Sequence, residues 1–142
     1  MDLSERRAWM GLLARSAPAR LAELLGDLPS HNFARSPDIG TVMVRGRAGG
    51  TGTAFNMGEM TVTRCTLRLS SGAVGHAYVQ GRDKAHATRA AIVDALMQDD
   101  PQATHAMILT PLAEHADMQA APRRAKAAAT KVEFFTLVRG ED

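Results

Sequence analysis

The chain has 142 residues, 45% hydrophobic and 23% charged, enough for one core and too few for two, and the balance is that of a folded protein, not a disordered one. Its one cysteine, Cys65, excludes an internal disulfide framework and suits a reducing compartment. The formal charge of +2 conceals a segregation: residues 45–89 carry seven cations against two carboxylates, a local +5, while the remainder sums to −3. Such a basic centre suits an anionic ligand or an acidic partner surface.

In chain order, Trp9, Leu12 and Leu13 recur at helical spacing, as do Leu21, Leu24, Leu25 and Leu28. Between them Pro18 fits only a helix's first turn, so the spacing predicts an N-terminal helical hairpin. No stretch resembles a signal peptide or a membrane-spanning run, and the expected location is the cytoplasm. Pro29–Gly40, rich in Ser, Asn and Pro, reads as a connection.

Thr41–Arg45 is β-branched and strand-like. Thr61–Leu69 alternates, with Thr63, Cys65, Leu67 and Leu69 on one face and Val62, Arg64, Thr66 and Arg68 on the other. Ser70-Ser71-Gly72 turns the chain, and Ala73–Gln80 returns as a partner strand. Asp83–Gln98 predicts a helix with Thr88, Ala91, Ile92, Ala95 and Leu96 on one stripe, helped by Asp83 at its positive end. Asp99-Asp100-Pro101 stops it. Another helix is expected from Pro111, interrupted or restarted near Pro122. Lys131–Arg139 alternates as a last strand. Residues 1–142 thus form a single α+β domain, a small, mainly antiparallel sheet packed by helices.

Few residues carry recognisable chemistry. Gly49-Gly50-Thr51-Gly52 lacks both the Gly-Lys-Ser/Thr ending of a P-loop and the spacing of a dinucleotide fingerprint. The run is a turn or bulge, or a nest of N–H donors for an anion. Gly81-Arg82-Asp83-Lys84 is better placed, because a helix start with Arg82 and Lys84 gathers N–H groups and two cations. Its alternative is a solvated helix start with Asp83 paired to its neighbours. The five histidines show no metal-ligand spacing, so no metal site is expected. His86, near Asp83 and Lys84, reads as a surface histidine, with an acid or base as the alternative, and Cys65 as a small core hydrophobe. Ala121–Ala129 is a basic, alanine-rich helix without a stacking platform, and no nucleic-acid partner is expected.

The blocks Gly49–Gly52, Phe55–Cys65, Gly81–Ala87, Asp94-Ala95-Leu96 and Lys131–Gly140, in that order and spacing, resemble the PhnG family of the bacterial carbon–phosphorus lyase system. The likeness runs from the Trp9-Met10 helix to the C-terminus; Leu137, where the family often has Met, is a minor departure. The resemblance implies a core complex with PhnH, PhnI and PhnJ, joined by an ATP-binding-cassette-type subunit. That complex moves the ribose triphosphate of ATP onto methylphosphonate and releases adenine, and a radical iron–sulfur subunit later cleaves the carbon–phosphorus bond. It implies no catalytic residue for this chain and no cofactor bound by it alone, ATP being a substrate of the complex.

The expected function is therefore an accessory subunit of that synthase, not catalytic alone. Two mechanisms stay open. The chain is architectural, or it lends binding groups, with Gly49, Gly50, Thr51, Gly52, Arg82 and Lys84 as the candidate phosphate contacts. A free-standing nucleotide- or RNA-binding domain built on residues 45–89 is the alternative.

Overall fold

A computed structural model describes the backbone of residues 3–140 and the side chains of residues 3–129. Helices α1 (Arg6–Arg15) and α2 (Pro18–Leu25) form the N-terminal hairpin, with Pro18 in the first turn of α2. Gly26 ends α2 at φ 68° and donates its N–H to the Ala22 carbonyl. That is a left-handed exit only glycine takes without strain.

Three antiparallel strands follow in the spatial order β1-β2-β3: β1 (His31–Arg47), β2 (Ala54–Leu69) and β3 (Val74–Gln80). β1 corrects the expected connection, since pairing with β2 begins at His31, opposite Leu69. The Ser-Pro-Asp stretch is absorbed by register slips between Phe33 and Arg35 and between Arg35 and Asp38. Pro37 sits within the second, on an edge strand at an irregularity, where its missing N–H costs no ladder bond. The β2–β3 hairpin is as expected, with Cys65 opposite Ala77 and Thr66 opposite His76.

α3 (Lys84–Asp99) crosses the sheet face that carries Cys65, Leu67, Ala77 and Val79. Instead of one apolar stripe it buries nearly its whole circumference, Ala87 and Ala90 to Ala95 included. Leu12 and Leu13 of α1, Leu21 of α2, and Leu109 and Leu112 share the core with it. The helix can enter so tightly packed a site because its side chains are small. A Cβ on Gly75 would run into the Ala91 carbonyl of α3.

Asp100 caps the short α4 (Pro101–Thr104) by accepting from the Ala103 N–H at 3.3 Å. A π-helical turn, His105–Leu109, leads into α5 (Thr110–Gly140). Two expectations fail in α5. Pro122 lies inside the helix without interrupting it, for the carbonyl it deprives belongs to Met118, 74% exposed and open to water. Lys131–Arg139 continues the helix and forms no strand. The alanine-rich turns before it supply a helical template that each added residue extends with one hydrogen bond.

Candidate functional site

The glycine run forms the tip of the β1–β2 hairpin. Ala48–Gly50 makes a single 3-10 turn, with Gly49 and Gly50 at φ 61° and 83°. The Gly52 N–H donates to the Ala48 carbonyl at 2.8 Å, and the chain goes into β2, not a helix. Its identity as a turn is established by this geometry.

Arg82 and Lys84 flank the start of α3, both exposed. Between them the Asp83 carboxylate accepts the His86 N–H at 2.9 Å, which satisfies one of the orphan donors an anion would otherwise meet. Thr63 Oγ1 donates to the Gly81 carbonyl at 2.7 Å, and the Gly81 N–H to the Thr61 carbonyl at 2.8 Å, so this loop is tied to the middle of β2. The glycine tip lies beyond Ala54, seven residues further along the strand, roughly 23 Å away at the usual strand rise. The fold therefore does not bring Gly49–Gly52 together with Arg82 and Lys84.

His86 is not a surface residue. It is 3% exposed, and neither ring nitrogen has a hydrogen-bond partner among the described residues. The Asp83 carboxylate caps the helix by accepting the His86 backbone N–H, while the His86 side chain turns inward against the end of α1. Burial pulls the imidazole below its ordinary value, outweighing the opposite pull of Asp83 and of the Leu13 and Ala14 carbonyls; Arg89 adds to the lowering. Cys65 is buried, as expected of a core hydrophobe, and burial pushes its thiol up against the lowering effect of Thr88.

The densest polar constellation surrounds Asp94, which sequence reading passes over as part of a helix. Its carboxylate is fully buried and accepts from Arg6 Nε (3.1 Å) and Nη2 (2.7 Å), Trp9 Nε1 (2.8 Å) and the His76 backbone N–H (2.9 Å). Gln98, one turn on, donates to the Val74 carbonyl at 2.7 Å. Together they cap the outer edge of β3 where a fourth strand would otherwise pair. The arrangement is structural, with every strong donor directed at one acceptor. The signal that could have found it is a lone carboxylate within the apolar run Ala90–Leu96, which demands a buried partner.

A family model described as "Phosphonate metabolism protein PhnG" matches residues 4–140. The chain belongs to the PhnG family. A relative from Rhizobium meliloti (strain 1021), named alpha-D-ribose 1-methylphosphonate 5-triphosphate synthase subunit PhnG, is 46% identical over 147 residues, spanning 99% of this chain and 92% of its own. Set against that PhnG membership, the described residues hold no group of three or more metal-ligating side chains and no helix long and apolar enough to cross a membrane.

Proposed function

We propose that the chain is an accessory subunit of the alpha-D-ribose 1-methylphosphonate 5-triphosphate synthase, acting in phosphonate catabolism in the cytoplasm. It assembles with PhnH, PhnI, PhnJ and an ATP-binding-cassette-type subunit and is not catalytic alone. End-to-end likeness to a named synthase subunit supports the complex. The observation that carries an assembly role is the overhanging ribbon. β3 pairs only with residues 62–68 of β2, so residues 41–47 and 54–61 extend as a two-stranded arm on which no residue is buried. Phe55 and Met57 stand 50% and 64% exposed beside Gly46, and Met43 is 49% exposed. A two-stranded ribbon with bare apolar side chains is marginal in water and gains stability by burying them against another surface.

Co-purification from cells growing on methylphosphonate tests the reading. The wild-type chain brings the other core subunits. A Phe55→Ser, Met57→Ser variant loses them while keeping its own thermal midpoint, because those side chains contribute little to the isolated fold. Recovery of the wild-type chain alone would falsify the assignment.

A further inference from the structure

We infer that the face of the sheet opposite α3, beside α1, carries a binding cleft for a phosphate-bearing anion, separate from the glycine tip and from the start of α3. Strand alternation turns Cys65, Leu67, Ala77 and Val79 toward α3, which sends their neighbours to the opposite side. Two rungs of the three-stranded sheet line up there. Arg35 of β1 pairs with Thr66 of β2, which pairs with His76 of β3; Asp38 pairs with Arg64, which pairs with Tyr78. All of these but Asp38 border a cleft of about 390 Å³, together with Met10 of α1 and with Cys65 and Ala77, the strand residues between them.

The electrostatics of the cleft are unbalanced. Arg35 and Arg64 occupy neighbouring rungs on one face, where like charges repel. One carboxylate opposes them. Asp38 Oδ2 accepts from Arg64 Nη2 at 3.1 Å, across a pair whose side chains are 50% and 37% exposed, and so weakly held. Arg64 Nε is buried and has no partner among the described residues, an unmet donor on the same guanidinium. Thr66 Oγ1 and His76 Nδ1 are joined at 3.0 Å, which fixes the ring and leaves its other nitrogen uncommitted. Arg68 adds a third exposed cation one rung further along.

Guanidinium forks, a histidine nitrogen and two hydroxyls within one rung spacing match the several oxygens of a phosphoryl group. The Met10 side chain and the Tyr78 ring give the cleft an apolar wall for the organic part of a phosphate ester. The cleft itself stands on these residues alone; choosing phosphate over carboxylate rests on the synthase reading above.

The test is calorimetric titration of the full chain, at low salt, with inorganic triphosphate, methylphosphonate and citrate as separate probes. Triphosphate binds at one saturable site, more tightly than citrate, and affinity falls as salt rises. Arg35→Gln, at an exposed position, weakens it about tenfold, the worth of a charge-assisted contact. Tyr78→Phe, which removes only a hydroxyl, weakens it by a smaller factor. Arg82→Ala with Lys84→Ala leaves it within about threefold, the range of a distant charge effect. Unchanged thermal midpoints show that each variant folds, and amide shifts on triphosphate addition cluster at Thr66, His76 and Tyr78. Absence of saturation at millimolar triphosphate overturns the inference, as does equal affinity for citrate or a loss that follows Arg82 and Lys84 instead of Arg35. Because the titration uses the chain alone, a chain that co-purifies with its partners yet ignores triphosphate sinks the cleft and leaves the subunit assignment standing.

Discussion

The two edges of the sheet solve the same problem differently. β3 presents free N–H and C=O groups to α1 and α3, and the chain covers them from within. Asp94 takes the His76 N–H, Gln98 donates to the Val74 carbonyl, and Arg6 and Trp9 close over the carboxylate. β1 is seventeen residues long, its outer edge pairs with no strand among the described residues, and its distal half joins β2 in an uncovered arm. For the protein to stay unaggregated, an edge strand left this open calls for a partner or for charge. β1 carries Arg35, Arg45 and Arg47. The sealed edge is where the fold stores its stability, and the open one is where we propose that it meets other molecules.

Substitutions can break that contrast. Asp94→Ala has the largest effect. The ion pair with Arg6 counts for little, because that side chain is 43% exposed. The main cost is the part-buried N–H groups of Trp9 and His76, left unpaired together, about 3 kcal/mol and on the order of a 10 °C drop in thermal midpoint. Asp94→Asn should recover part of this by keeping one acceptor. Calorimetry checks both; a shift of a degree or two for the alanine variant would show that the sealed edge is not what holds the sheet.

Gly75→Ala comes next. The added methyl meets the Ala91 carbonyl, so α3 must lift from the sheet, at about 2 kcal/mol. Denaturant unfolding should show a lower midpoint. The equivalent change in the arm, Met43→Ala, should leave the midpoint within about 0.5 kcal/mol of wild type, since an exposed side chain makes few contacts to lose.

His86 gives a smaller, pH-dependent signature. Its folded value lies below the ordinary histidine value of 6.5. Above 6.5 both folded and unfolded chains hold it neutral, and it adds no pH dependence. As pH falls through 6.5 the unfolded chain takes up the proton first, so stability declines until the folded imidazole also protonates. His86→Gln should flatten that decline between about pH 7 and pH 5, read from denaturant midpoints at each pH. An unchanged slope would place the titrating group elsewhere. Smallest of all is the effect on Cys65: because burial raises its thiol and hides it, a thiol reagent should modify the native chain far more slowly than the denatured one.

Local rules were legible where a short segment carries its own signal. Pro18 marked the start of α2, Ser70-Ser71-Gly72 turned the β2–β3 hairpin, and Asp83 marked the positive end of α3, which it proves to cap. The alternation of Thr63 to Leu69 correctly sorted core from open face, and so placed Arg64 and Arg68 on the side where the cleft lies. What resisted reading depended on other chains of residues. β1 hid behind Pro37 because a register slip, which only the partner strand defines, excuses the proline. Lys131–Arg139 carries strand-like alternation, yet the helix propagating from the alanine run overrides it. His86 reads as a surface residue beside Asp83 and Lys84, whereas in the fold the third residue of a helix start capped by the Asp83 carboxylate turns inward.

Composition, periodicity and block order were enough to settle the class, the helical hairpin, the central β-hairpin and the family, since each is written in residues near one another along the chain. Which edge is sealed and which lies bare, the distance between the glycine tip and Arg82, and the convergence of Arg35, Arg64 and His76 on one face were decided only in three dimensions. Those features depend on strand register and on what packs across the sheet, and both are set by contacts between segments that the linear order keeps apart.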